Sequence, residues 1–268
     1  MRLLHTSDWH IGIKLQNFDY LPSQKEFAEW LLETVKSEGI DAVLISGDIF
    51  DRSLPSEESL RFADEVFVTL VSAGVKVVVI SGNHDSADRL NFCSKAMENA
   101  GLFIRTEKAN IADSGMPIEI KKGNESVFVV PIPYLDPTRV TEIGEAERSH
   151  GGLIAEILKQ RASEVPDPSK TIVMSHCFAA GGTETESERK LTIGGTARVA
   201  KDVFKGFGYV ALGHLHRPQA IGGENIYYSG TPLQYSFSEE HQKSVRIIDV
   251  GEDIQTRLVD IPVGPIVV

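Results

Sequence analysis

The stretch Ala42-Val43-Leu44-Ile45-Ser46-Gly47-Asp48-Ile49-Phe50-Asp51-Arg52 joins an apolar run to an acidic turn. An uninterrupted apolar run of this length is typical of a strand covered on both faces, and the aspartate directly after Gly47 has no evident packing role. A second stretch has the same form, because the apolar run Val75 to Ile80 leads into Ser81-Gly82-Asn83-His84-Asp85. Open α/β sheets place their sites at the carboxyl ends of strands, so both turns are candidate site segments.

Strand and helix patterns alternate on both sides of this stretch. Before it, Leu3 to Ser7 is predicted to be a strand, and Ser23 to Ser37 an amphipathic helix that Gly39 ends. Further helices are predicted at Glu57 to Ser72, Asp88 to Asn99 and Gly152 to Arg161. Further strands are predicted at Ile118 to Ile120, Val127 to Val130, Thr171 to Met174, Tyr209 to Leu212, Ile226 to Ser229, Val245 to Val250 and Thr256 to Ile261. The alternation predicts an α/β fold whose sheet is covered on both sides, with an antiparallel run formed by the last three strands and an exposed loop over 181–195.

Three more predicted strands end in residues that can bind metal. The first leads into Asp8-Trp9-His10, a later one into Ser175-His176, and another into Gly213-His214-Leu215-His216. Residues two apart in an extended chain point to the same side, so Asp-x-His and His-x-His can each face one cation. The remaining histidines lack such a context and are interpreted as ordinary hydrogen-bonded residues: His5, His150 and His241.

Composition sets limits on the class of protein. The chain has 268 residues with 41% hydrophobic and 24% charged, and no apolar run approaches the roughly 20 residues of a membrane span. The first residues contain no secretory signal, and Cys93 and Cys177 form no CxxC pair, so a cytoplasmic protein with reduced cysteines is expected. A net charge of −11 argues against wrapping nucleic acid by charge alone, although bound cations would reverse the field locally.

The order of these motifs resembles a known superfamily. Asp-x-His, Gly-Asp-x-x-Asp-Arg, Gly-Asn-His-Asp, Ser-His and Gly-His-x-His, between residues 8 and 216, are similar to the five motifs of the calcineurin-like metallophosphoesterases. The opening 1–12, Glu186-Ser187-Glu188-Arg189, Tyr228-Ser229-Gly230-Thr231-Pro232 and Tyr235-Ser236-Phe237 resemble its SbcD family, the nuclease subunits of bacterial double-strand-break repair complexes. The resemblance implies two central mixed β-sheets flanked by helices, an αββα sandwich.

The resemblance also implies a two-metal site. It assigns one cation to Asp8, His10, Asp48 and His216, and the other to Asp48, Asn83, His176 and His214. A ligand set of carboxylate, amide and imidazole suits Mn²⁺, while Zn²⁺ and Fe²⁺ stay open. Two cations would clamp a phosphodiester and activate a water as nucleophile.

Three residues beside the ligands receive roles as well. His84 is expected to be catalytic, either protonating the leaving oxygen or orienting the substrate. Asp85 could orient His84, and Arg52 could contact the phosphate or the loop of the bridging aspartate. Structural ion pairing explains Asp85 and Arg52 equally well.

The resemblance implies a metal-dependent DNA exonuclease and endonuclease that works with an SbcC-like ATPase subunit. Two alternatives stay open: a phosphatase or phosphodiesterase acting on a small molecule, since the same clamp serves any phosphate ester, and a catalytically dead adaptor. The complete ligand set opposes the adaptor. The Glu-Ser-Glu-Arg loop and the Tyr-Ser-Gly-Thr-Pro segment favour the nuclease over the small-molecule enzyme.

The chain is expected to hold one domain and to form a dimer. Residues 1–261 are predicted to form the nuclease domain, and 262–268 the start of a linker to a C-terminal cap domain that this chain lacks. A homodimer is expected through the helices at about 57–72 and 88–99. These carry more apolar side chains than one sheet face requires: Leu60, Phe62, Phe67, Leu70, Leu90 and Phe92. Packing in the core explains much of this apolar surface equally well.

Overall fold

The computed structural model describes residues 1–16, 18–188, 198–223 and 225–262. Within these ranges the strands are β1 Arg2–Thr6, β2 Lys14–Leu15, β3 Phe18–Asp19, β4 Ala42–Ser46, β5 Lys76–Ile80, β6 Leu102–Arg105, β7 Ile118–Lys122, β8 Glu125–Ile132, β9 Ile172–His176, β10 Phe178–Ala179, β11 Arg198–Val199, β12 Tyr209–Gly213, β13 Gln219–Ala220, β14 Ile226–Tyr228, β15 Ser244–Val250 and β16 Ile254–Asp260. The helices are α1 Leu21–Glu38, α2 Glu57–Ser72, α3 Ala87–Leu90, α4 Ser94–Met97 and α5 His150–Arg161. Single 3₁₀ turns lie at Glu98–Ala100, Ile111–Asp113, Pro168–Lys170 and Lys201–Phe204.

Two mixed sheets of six described strands each form the centre of the fold. The first has the order β16-β15-β1-β4-β5-β6, with β1, β4, β5 and β6 parallel. The second has the order β13-β14-β12-β9-β8-β7, with β14, β12, β9 and β8 parallel. An apolar layer contributed by both sheets lies between them, and it includes Leu44, Val78, Ile172 and Ala211.

Helices cover the outer faces. The amphipathic α1 and α2 bury Phe27, Leu31, Phe67 and Leu70 against the first sheet, and α5 buries Leu153 and its neighbours against the second. The predicted αββα arrangement is therefore confirmed. Its strands are apolar on successive positions because each face of a strand meets either the other sheet or a helix.

Local signals set the helix ends. Gly39 ends α1 with φ of 65°, as predicted, because a left-handed residue without Cβ closes the last turn at little cost. Ser56 caps α2 by accepting a hydrogen bond from the Ser59 amide at 3.1 Å, and Glu57 and Glu58 in the first turn complement the helix dipole.

Two secondary-structure predictions were wrong, and one strand was missed. A continuous helix over 88–99 does not form, because Cys93, with φ of 58°, separates α3 from α4. The last three predicted strands do not make one antiparallel run: β15 and β16 pair antiparallel in the first sheet, whereas β14 lies in the second sheet, parallel to β12. β6 was not predicted. Of the loop predicted over 181–195, residues 189–195 lie outside the described part.

No helix in the described part of the chain has the length and apolar character needed to cross a bilayer. The predicted linker start covers 262–268, and residues 263–268 of it lie outside the described part of the chain.

The two sheets are in direct contact where β4 and β12 end. The Ser46 hydroxyl donates a hydrogen bond to the Ala211 carbonyl at 3.0 Å, and a Cβ added at Gly213 would lie 1.9 Å from the Ser46 carbonyl oxygen. Only glycine allows this contact, which brings the turn after β12 beside the turn after β4.

Gly213→Ala is therefore expected to lower the free energy of unfolding by at least the roughly 1–3 kcal/mol typical of overpacking, because a backbone oxygen cannot move aside as a side chain can. Urea denaturation measures the change. Gly251→Ala is the matched control, since the nearest atom to a Cβ at Gly251 is 3.9 Å away. Equal midpoints for the two variants would contradict the argument.

Candidate metal centre

The turns after five strands meet at one edge of the sandwich, and their backbone is constrained. Asp8, His10, Asp48 and His214 have φ of 54°, 44°, 50° and 105°. Positive φ is uncommon for residues other than glycine and gathers at functional sites. The Asp8 amide donates to the Gly47 carbonyl and the His10 amide to the Asp48 carbonyl, each at 3.0 Å, so the first two turns are bonded together.

One group of buried side chains that could bind a metal ion consists of Asp8, His10 and His216. One ligand atom from each lies within 4.8 Å of the others. The Nε2 atoms of His10 and His216 are 3.3 Å apart, and both Asp8 oxygens accept hydrogen bonds from the His214 amide at 3.0 and 3.1 Å. The carboxylate is thereby fixed beside two imidazoles.

A second group surrounds the side-chain oxygen of Asn83. Asn83 Oδ1 lies 2.9 Å from His176 Nε2 and 3.2 Å from His214 Nδ1. The ring of His176 is held from behind, because its Nδ1 hydrogen bonds with the Ser46 carbonyl at 2.9 Å. An amide oxygen and two imidazole nitrogens therefore converge on one point.

Asp48 lies between the two groups. Its Oδ2 is 3.7 Å from His10 Nε2 in the first group and 3.4 Å from His176 Nε2 in the second. Its Oδ1 accepts a hydrogen bond from the His84 amide at 2.8 Å, which sets the plane of the carboxylate. Glycine is required nearby, since a Cβ at Gly82 would lie 2.1 Å from Asp48 Oδ1.

The electrostatics suit bound cations. Burial raises the pKa of Asp8 to about 6 and lowers the pKa of His10 and His214 below their usual range. Burial opposes protonation of His176 as well, but the Asp48 carboxylate raises its pKa to about 9. His10 Nδ1 and Asn83 Nδ2 are buried with no hydrogen-bond partner among the described residues. Carboxylates, an amide oxygen and imidazoles gathered out of water make a donor set that fits divalent metal ions.

His84 lies at the rim of this group. Its ring centroid is 4.7 Å from that of His10, and its Nδ1 hydrogen bonds with the Asp51 carbonyl at 2.7 Å. This contact differs from the expectation that Asp85 orients His84. The Asp85 carboxylate instead accepts hydrogen bonds from backbone amides of two turns, those of Ile49, Phe50 and Gly82, at 3.2, 3.0 and 2.9 Å.

Asp85 and Arg52 thus have different surroundings. Asp85 is half-buried, and burial, followed by the charge of Asp48, raises its pKa to about 6. It ties the turn after β5 to the turn after β4. The side chain of Arg52 is 81% exposed and pairs with Asp51 at 3.5 Å, so it can reach solvent beside the centre.

Residues behind His216 were missed as site residues. Ser187 Oγ lies 2.6 Å from His216 Nδ1, and Glu239 Oε1 lies 3.3 Å from it. Glu239 is only 2% exposed; burial opposes its ionisation, but the hydrogen bond with His216 and the charge of Lys243 hold its pKa below the usual range. Ser187 lies in a segment noted for its family resemblance, and Glu239 follows another such segment, Tyr235-Ser236-Phe237. Neither sequence pattern predicts a contact with His216.

Comparison with known proteins agrees with this architecture. The profile of the family "Calcineurin-like phosphoesterase" matches residues 1–218. A curated relative, the SbcD subunit of the nuclease SbcCD from Staphylococcus epidermidis, is 34% identical over 268 residues, which is 99% of this chain and 70% of the relative.

Two solved structures share the fold at 14% identity, each with a TM-score of 0.53. The protein TT1561 of Thermus thermophilus matches over 96% of this chain and 98% of its own, and a dimetal phosphatase from Danio rerio over 97% and 98%. At this identity the two structures support the assignment of the fold alone. The profile match over most of the chain and the relative that aligns with 99% of it show that this chain belongs to the calcineurin-like phosphoesterase family and, within it, to the SbcD-type group.

Proposed function

We propose that this chain is a DNA nuclease that cleaves phosphodiester bonds with two divalent cations, preferentially Mn²⁺. The observation that carries the proposal is the position of Asp48 Oδ2, 3.7 Å from an imidazole of one donor group and 3.4 Å from an imidazole of the other. A carboxylate in that place can bridge two cations. The substrate class follows from the relative, whose name describes a nuclease.

The ligands are assigned from the two groups. Asp8, His10, Asp48 and His216 would hold one cation, and Asp48, Asn83, His176 and His214 the other. When bound, the cations supply Lewis acidity that stabilises charge on a phosphate and lowers the pKa of a water. The mix of oxygen and nitrogen donors without thiolate favours Mn²⁺ over Mg²⁺.

His84 acts on the substrate side. The Asp51 carbonyl accepts a hydrogen bond from Nδ1 and holds the ring, which leaves Nε2 as the atom that would donate a proton to the leaving oxygen as its bond to phosphorus breaks, or that would orient the substrate. An imidazole can carry and release a proton in the physiological pH range. The exposed guanidinium of Arg52 would contact a neighbouring phosphate.

The test compares substrates. We expect Mn²⁺-dependent cleavage of labelled linear duplex and hairpin DNA, little cleavage with Mg²⁺, and none after chelation. Zn²⁺ and Fe²⁺ are assayed in parallel. Turnover of a small chromogenic phosphodiester without any DNA cleavage would favour the second candidate, a small-molecule phosphodiesterase, because the metal centre alone serves either substrate.

The proposal extends to organisation and partners. Residues 1–261 would be one nuclease domain, since β16 ends at Asp260. The name of the relative describes a subunit of a two-component complex, so we propose an SbcC-like ATPase as partner, with DNA as the shared substrate in the cytoplasm.

A homodimer is part of the proposal. Of the apolar side chains expected at the interface, Phe62, Phe67 and Leu70 pack inside the domain, whereas Leu60 is 48% and Phe92 75% exposed. Leu60 and Phe92 line one apolar groove together with Val68, Val71 and Leu90. This groove, which runs from α2 to the segment after α3, is the surface proposed for a second copy.

We expect the double variant Leu60→Asp, Phe92→Asp to be monomeric in light scattering under conditions in which the wild type has twice the monomer mass. The two carboxylates introduced by these substitutions would lose their hydration in a dimer interface, and this cost opposes association. Phe237→Asp is the control, because Phe237 is 60% exposed and does not line the groove. A wild type that stays monomeric at high concentration would refute the dimer.

A further inference from the structure

His216 is held from behind by a buried polar cluster that is separate from the proposed ligands. We propose that Ser187 and Glu239 are positioning residues, which fix the tautomer and ring plane of His216 so that Nε2 faces the metal centre. The proposal rests on the proposed function, because it concerns one of the two metal positions assigned above.

The hydrogen-bond chain sets the direction of each proton. The Ser187 hydroxyl donates to the Glu239 carboxylate, since an ionised carboxylate can only accept. The same Ser187 oxygen, 2.6 Å from His216 Nδ1, must then accept from that nitrogen. With Nδ1 bonded to Ser187, the nitrogen left to bind a metal is Nε2, which is 3.3 Å from His10 Nε2 inside the centre.

Glu239 is held by two further donors. Its Oε2 accepts hydrogen bonds from the Tyr235 amide at 3.1 Å and from Lys243 Nζ at 2.6 Å. Lys243 is 6% exposed and also donates to Thr231 Oγ1 at 2.7 Å. The ion pair with Lys243 and the Tyr235 amide hold the carboxylate in place, and the carboxylate in turn holds the Ser187 hydroxyl in one orientation.

The backbone of His216 is fixed by the same loop. Glu188 accepts hydrogen bonds from the His216 amide at 2.9 Å and from the Thr185 amide at 2.6 Å. The loop that carries Ser187 is therefore anchored to the turn that carries His216. Ser187 and His216, which these hydrogen bonds bring together, are 29 residues apart in the sequence.

This arrangement acts on one metal position only. Of the proposed ligands, His216 alone bonds to Ser187 or Glu239 in the described part of the chain, whereas His176 is held by the Ser46 carbonyl. Changing a carboxylate behind a metal-binding histidine typically weakens metal affinity by about 10–100-fold. The loss should fall on the cation bound by His216 and spare the other.

The experiment titrates the metal-free protein with Mn²⁺ by calorimetry and follows bound Mn²⁺ by electron paramagnetic resonance. Glu239→Gln should weaken one of two sites by about 10–100-fold and reduce the signal of the spin-coupled pair. Ser187→Ala should weaken the same site less, because Glu239 Oε1 already lies 3.3 Å from His216 Nδ1. The double variant should be no weaker than Glu239→Gln, since both residues act through one hydrogen-bond chain. Glu240→Gln, an exposed neighbour, is the control and should match the wild type.

The outcomes separate the two proposals. A wild type that binds fewer than two Mn²⁺ ions overturns the proposed function and this inference with it. Two sites that stay unchanged in both variants, or that weaken equally, overturn this inference alone. Thermal melting of the metal-free variants checks the fold, and if Glu239→Gln is unfolded the less buried Ser187→Ala decides.

Discussion

Asp48→Ala is expected to lose bound metal and phosphodiesterase activity together. Asp48 is the carboxylate placed between both donor groups, with its Oδ2 within 3.7 Å of an imidazole in each. Two cations separated by about 3.5–4 Å repel each other strongly unless an anion lies between them. Without the carboxylate, at least one cation should leave at micromolar Mn²⁺, and activity should fall to background.

Metal content by mass spectrometry and DNA cleavage are measured on the same preparation of this variant. Asp253→Ala is the matched control, because Asp253 is an exposed aspartate in the turn between β15 and β16, away from the centre and from the apolar groove. An Asp48→Ala protein that keeps two cations or cleaves at the wild-type rate would show that Asp48 does not bridge them.

His84→Ala is expected to keep both cations and to lose about 10²–10⁴-fold in cleavage rate, the usual contribution of a general acid or base. Neighbouring residues on a turn diverge, and Asn83 Oδ1 is directed at His176 and His214 while the His84 ring bonds to the Asp51 carbonyl. The imidazole is therefore available to the substrate. Its removal should alter chemistry and leave metal occupancy unchanged.

The assay for His84→Ala measures metal content, DNA cleavage and the melting temperature. A protein that cleaves at near the wild-type rate, or that is stripped of metal, would mean that the role of His84 has been misassigned. The melting temperature excludes unfolding as the cause of a lost rate.

Much of the fold could be predicted because its centre is simple in sequence. Runs such as those of β4 and β5 are apolar on successive positions, which happens only when both faces of a strand are covered. β6 was missed because its four residues alternate buried and half-buried and end in Arg105, a weak pattern for a strand. The break at Cys93 could not be predicted, since a left-handed cysteine has no local signal.

The pairing of strands was harder to predict than their existence. β14, β15 and β16 follow one another in the chain, yet β14 joins the second sheet beside β12 and the other two extend the first sheet beside β1. Apolar pattern identifies a strand but carries no information on which neighbour it meets. That choice depends on packing between distant segments.

Some residues of the candidate site could be predicted from the sequence, and others could not. Residues directly after strands, such as Asp8 and His176, could be predicted because the carboxyl ends of parallel strands gather at one edge. Glu239 could not, because a glutamate in Ser-Glu-Glu is typical of an exposed turn, and only its contacts with Ser187 and Lys243 reveal a buried role. The orientation of Asp85 towards backbone amides likewise depends on two turns meeting.

The position of metal relative to Asp48 tests the central proposal most directly. Crystals grown with Mn²⁺ and measured at the manganese absorption edge should give two anomalous peaks bridged by the Asp48 carboxylate. One peak should lie beside His10 and His216, and the other beside His176 and His214. A single peak, or two peaks without Asp48 between them, would contradict the account.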